Sequence, residues 1–152
     1  MEQSRGTQKP GNKKARLFDL AAIERVPVAD LIGFQVNEAK DGRAVATFEA
    51  TEKHANPMGT LHGGILCDVA DAAMGMAFAS TLGEDETFTT VELKINFFRP
   101  VWNAKLKAEA QVIHRGKTLG YVECHIRDED KTLIAKTSST CLALNGTKGA
   151  GR

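Results

Sequence analysis

The sequence is short of net charge, of paired cysteines and of every familiar catalytic signature. Its 20 Lys and Arg nearly balance 19 Asp and Glu, leaving a formal charge of +1. No strong global field is therefore available to gather nucleic acid or an anionic membrane surface. Cys67, Cys124 and Cys141 make an odd set with no C-x-x-C spacing. That argues against a disulfide framework and a zinc site and suits a reducing, cytoplasmic setting. His54, His114 and His125 are scattered with no ligand pattern, so no metal is expected. A nucleophilic-serine motif, a dinucleotide fingerprint, a Walker loop and internal repeats are all missing.

The opening MEQSRGTQKPGNKKAR is basic and polar, without the run of roughly 7–15 apolar residues that a secretory signal needs. Residues 1–16 are expected to be a disordered tail, as are residues 146–152. Residues 17–145 read as one domain. A chain of 152 residues can bury about 70% of its unfolded surface.

Leu17, Leu20, Ala21, Ile23 and Glu24 fit a short helix closed before Pro27. Residues 33–38 and 43–51 read as a hairpin about the turn Lys40-Asp41-Gly42. One long helix is predicted near 62–82, then strands near 87–98, 104–115, 118–128 and 132–144. In the first of these, Val91, Leu93, Ile95 and Phe97 alternate with Thr90, Glu92, Lys94 and Asn96, predicting one apolar and one polar face. The order predicts an α+β fold: an antiparallel sheet wrapped around one helix.

From Gly63 to Leu82 that helix has only two charged residues, Asp68 and Asp71, and small or apolar residues lie all round it. Such a helix belongs inside a membrane or a protein. Two aspartates at about 2.5–3.5 kcal/mol each make a membrane span unfavourable.

The segment NPMGTLHGGILCDVADAAMG, residues 56–75, is where chemistry concentrates. If the helix starts at 62 or 63, its first N–H groups are unpaired and suit a polarised carbonyl, with Gly63 leaving them uncovered. Asp71 lies eight residues on, roughly 12 Å along a helix. It can serve that site only from a second subunit. A locally satisfied buried carboxylate is the alternative. His62 can cap the helix or meet a substrate, and Asn56 can shape the turn or bind. Met58, Met74, Met76, Phe78 and Phe88 fit either an acyl pocket or a core.

The pattern N-P-x-G-x-x-H-G-G with Asp71 following, continued by TVELKINFFRPV (90–101) and HRGKTLGYVECHIRDEDKTLIAKTSSTCLAL (114–144), resembles the hotdog-fold acyl-CoA thioesterases of the PaaI-like, phenylacetic-acid-pathway type. The resemblance covers residues 28–144. It implies a homodimer, commonly within a homotetramer built as a dimer of dimers, with active sites between subunits. It also implies an acyl-CoA substrate whose coenzyme A is the only cofactor-like group. By the same resemblance, the Gly63 N–H would polarise the thioester carbonyl, His62 would contact the thioester and Asp71 of the neighbouring chain would activate water or attack. Asn56 and Thr90 would place the water. Arg115, Gly116, Lys117, Thr118, Leu119 and Gly120 would border coenzyme A, with Phe97 and Ser139 as further contacts.

Overall fold

The computed structural model describes residues 26–145. Both expected tails and the short helix expected near 17–24 lie outside this range. Along the chain come α1 (Pro27–Ile32), β1 (Phe34–Lys40), β2 (Arg43–Ala50), a 3-10 turn (Glu52–His54), α2 (Gly63–Ala79), β3 (Glu86–Phe97), β4 (Ala104–Arg115), β5 (Leu119–Arg127) and β6 (Leu133–Asn145). Pro27 opens a helix. At the first helical position its missing N–H is not needed and its fixed φ is already helical. Asp41 and Gly42, at φ 51° and 76°, form the tight β1–β2 connection expected of an Asp-Gly pair.

Six strands form one antiparallel sheet in the order β1-β2-β4-β5-β6-β3, and α2 touches all six. Alanines let the helix sit close. Ala70, Ala73 and Ala77 on α2 and Ala44, Ala46, Ala108 and Ala110 on β2 and β4 are all buried. Larger side chains, Met74, Phe78, Val69, Val122 and Ile126, fill the remaining interior. Burying each of these aliphatic or aromatic groups is worth about 1.5–3 kcal/mol.

Register shifts interrupt the β1–β2, β3–β6, β4–β5 and β5–β6 pairings. Each adds local twist, which bends the sheet around the helix. The shift in β3 falls at Val91, which is 60% exposed. It overturns the simple alternation expected there. Thr90 before the bulge and Leu93 and Ile95 after it all turn toward the interior, while Val91 and Phe97 are exposed.

α2 is also less completely enclosed than its composition suggests. Asp68 and Asp71 are exposed on the single chain, while its opposite face is buried. The sheet covers one side of the helix and leaves an acidic stripe open.

Candidate active site

The approach to α2 is held by short hydrogen bonds. Asn56 Oδ1 accepts from the N–H groups of Met58 (2.9 Å) and Thr60 (3.3 Å), and its Nδ2 donates to Thr60 Oγ1 (2.9 Å). Gly59, at φ 81°, makes the left-handed turn that closes this loop. His54 ties the loop to the rest of the chain. Its Nδ1 accepts from Thr51 N–H (3.1 Å), which leaves Nε2 to donate to the Ile32 carbonyl (3.0 Å). Its own carbonyl accepts the His62 N–H at 2.8 Å. Residues 56–62 therefore deliver the helix start in a fixed position.

His62 is the N-cap, and its Nδ1 accepts the Gly64 N–H at 2.9 Å. The capping alternative is the observed one. This fixes the imidazole with its second nitrogen free to donate. Among the described residues no hydrogen bond uses the Gly63 N–H, as expected for the first helical residue. A β-carbon at Gly63 would lie 2.8 Å from Phe97 Cζ, so only glycine fits beneath that ring. The expected open approach to Gly63 is thus bounded on one side by Phe97.

Asp71 stands midway along α2, and Thr90 Oγ1 donates to its Oδ1 at 3.1 Å. The bulge at Val91 makes this contact possible. Although its residue surface is open to solvent, the carboxyl is crowded by surrounding atoms, and that partial burial raises its pKa above the ordinary value. The Thr90 hydrogen bond opposes the rise and Asp68 adds to it. Cys67 and Cys141 lie close enough to feel the Asp71 charge, and both thiols are pushed up, chiefly by burial. Neither cysteine stood out in the sequence, because nothing in its spacing says which strand residue lies opposite Thr90.

The β4–β5 turn lies far from the helix start of its own chain. Gly120 and Arg115 pack against Phe78, fifteen residues beyond Gly63 and so about 22 Å further along α2. In one chain this turn and the helix start are at opposite ends. Arg115 does not reach outward. Its guanidinium lies 5.1 Å from the Phe78 ring centre, pairs with Glu86 at 3.2 Å and donates to the Gly116 carbonyl. Gly120 is buried, and a β-carbon there would overlap Phe78, so its small size makes room for the core. Gly116 shapes the turn, its N–H donating to the Leu119 carbonyl at 2.8 Å. Lys117, Thr118 and Leu119 are exposed. Ser139 is fully buried, with its Oγ 3.7 Å from Cys141 Sγ. Among the proposed acyl-lining residues, Met74 and Phe78 are wholly buried core and Met58 is exposed at the loop tip.

A groove of about 830 Å3 lies elsewhere, lined by outward-facing Gln35, Thr47, Glu49, Lys105, Lys107 and Glu109 among others. It shares no residue with the loop, the helix start or Asp71, and its walls carry charges of both signs. No described helix is long and apolar enough to cross a membrane, and no metal-binding cluster occurs among the described residues.

One long helix wrapped by a six-stranded antiparallel sheet is the hotdog fold. The thioesterase superfamily model matches residues 58–135, from the glycine-rich loop into β6, and the chain belongs to that superfamily as a thioester hydrolase. A 1,4-dihydroxy-2-naphthoyl-CoA hydrolase of Listeria monocytogenes is 31% identical over 111 residues, covering 73% of this chain and 90% of its own. The PaaI protein from the E. coli phenylacetic acid degradation operon is 28% identical, with a TM-score of 0.76 over 84% of this chain and 91% of its own. A Haemophilus influenzae thioesterase, 23% identical, shares the fold at a TM-score of 0.79 over 91% of this chain and 96% of its own.

Proposed function

We propose that this protein hydrolyses acyl-CoA thioesters at sites shared between two copies of the chain. Gly63 of one protomer donates its N–H to the thioester oxygen, and Asp71 of the other removes a proton from the attacking water. The water oxygen bonds to the carbonyl carbon, and the oxyanion that forms is held by an amide aligned with the helix dipole. When the intermediate collapses, the C–S bond breaks, releasing the acid and the coenzyme A thiol. His62 donates its free ring N–H toward the thioester, and Asn56 keeps the loop rigid while helping to seat the water. Thr90 holds Asp71 in line.

The hydrogen bond from Thr90 to a crowded, pKa-raised Asp71 is the observation that supports this most directly. A general base works best when its pKa approaches the working pH without passing it. Lys117, with Thr118 and Leu119, offers an exposed edge for the nucleotide end of coenzyme A, the ammonium meeting phosphate as a point charge. Arg115, braced by Glu86, keeps that turn in shape. A dimer of dimers working in the cytoplasm completes the proposal.

Thiol release across a panel of aryl- and fatty acyl-CoAs, measured beside Asp71→Asn, tests it. The substitution should lower turnover by roughly 10²–10⁴, the scale of a lost general base. Wild-type protein that binds these thioesters and releases no thiol would make it a sensor instead.

A further inference from the structure

The interior face of β6 carries an unexpected run of polar side chains. Thr137, Ser139 and Cys141 alternate along the strand at 1%, 0% and 0% exposure, where aliphatic residues would bury no polar group. Thr137 hydrogen-bonds Met74 Sδ at 3.4 Å, a local arrangement. The other two lead elsewhere. Ser139 Oγ lies 3.7 Å from Cys141 Sγ. Cys141 stands opposite Thr90 across the β3–β6 register, so the two side chains neighbour each other on one face of the sheet. Thr90 in turn donates to Asp71 Oδ1 at 3.1 Å.

The end of the chain sets its direction. An ionised carboxylate only accepts, so the Thr90 proton points at Asp71. Thr90 Oγ1 is then left to accept, and the donor beside it is the Cys141 S–H. The sulfur can take the Ser139 O–H from the other side. Three single-proton donors thus line up toward one carboxylate, the arrangement in which hydrogen bonds polarise one another.

We propose that Ser139, Cys141 and Thr90 form a buried donor relay that aims and holds the Asp71 carboxylate, with Cys141 a positioning residue acting through Thr90. This rests on Asp71 being the base. Burial pushes the Cys141 thiol up, which keeps its proton in place as donor. Besides Thr90, the groups facing Asp71 are Cys67 and Asp68 on α2 and Cys141 on β6; among the described residues no Lys, Arg or His pairs with it.

The test compares pH profiles of kcat and KM for the full-length wild type, Cys141→Ala, Cys141→Ser, Ser139→Ala and Thr90→Val, on an acyl-CoA that the wild type hydrolyses. Cys141→Ala should lower kcat about 2- to 12-fold, the scale of one neutral hydrogen bond, with KM unchanged. It should also move the acid limb of kcat to higher pH, because the ionised carboxylate loses support. Cys141→Ser keeps a donor and should restore both. Ser139→Ala, the gentler change should Cys141→Ala fold poorly, should move the limb the same way by less. In a Thr90→Val background the Cys141 effect should vanish. The relay is wrong if Cys141→Ala lowers the melting temperature and leaves the acid limb in place, or if its effect persists without the Thr90 hydroxyl. Full activity in Asp71→Asn would instead remove the base assignment itself.

Discussion

Asp71 and Asp68 sit three residues apart on one helix, so their side chains share a face and their charges oppose each other. Partial burial raises the Asp71 pKa first, and Asp68 raises it further. A base must be ionised, so activity should fall as pH drops through this raised value, at a higher pH than for an ordinary aspartate. Asp68→Asn removes the like charge and should shift the acid limb of kcat/KM downward with activity otherwise kept. An unmoved limb would show that Asp68 does not set it. The same shift has a stability consequence of opposite sense to its catalytic one. With the folded pKa above the unfolded one, folding favours the protonated acid, and that contribution is lost as pH rises through the folded value. Asp71→Asn should therefore melt higher than wild type at neutral pH and show no such gain below the ordinary carboxylate range. A lower melting temperature at neutral pH would mean that the carboxylate is needed structurally. The aspartates were legible as candidates because charges are rare in this helix. Thr90 became a candidate only through the family resemblance, and Cys141 not at all, since it meets Thr90 only through strand register.

At the level of elements, strand boundaries followed closely from turn residues such as Asp41-Gly42 and Gly116, whose backbone demands are local. The bulge at Val91 did not, because a period-2 pattern contains no mark of where one extra residue is accommodated. The consequence was large: Thr90, assigned to the polar face by alternation, is the residue that turns inward to Asp71. The β4–β5 turn shows a second limit. Glycines at 116 and 120 look alike in sequence, yet one shapes a turn and the other clears space for Phe78. These roles predict different outcomes. Gly120→Ala should destabilise the fold by about 1–3 kcal/mol through overpacking, read as a lower melting temperature. Lys117→Ala should leave melting unchanged and raise KM for acyl-CoA, more at low salt than at high. A melting loss for Lys117→Ala, or none for Gly120→Ala, would reverse the assignments.

For the whole molecule, the decisive quantity is the roughly 12 Å of helix between Gly63 and Asp71. α2 is unbroken from Gly63 to Ala79, so bending cannot bring the amide and the carboxylate onto one carbonyl. The acidic stripe is exposed, and β3, a 12-residue strand, ends the strand order among the described residues. Long unpaired edges invite another strand. Both features fit a twofold dimer that sets each Gly63 beside the mate's Asp71. Mixing two dead variants separates this from any single-chain site. Gly63→Val and Asp71→Asn should each be inactive alone. After subunit exchange, a mixed dimer holds one site with both changes and one with neither, so an equal mixture should recover about a quarter of wild-type activity under twofold symmetry. If amide and base worked within one chain, every site in the mixture would keep one lesion and no activity would return.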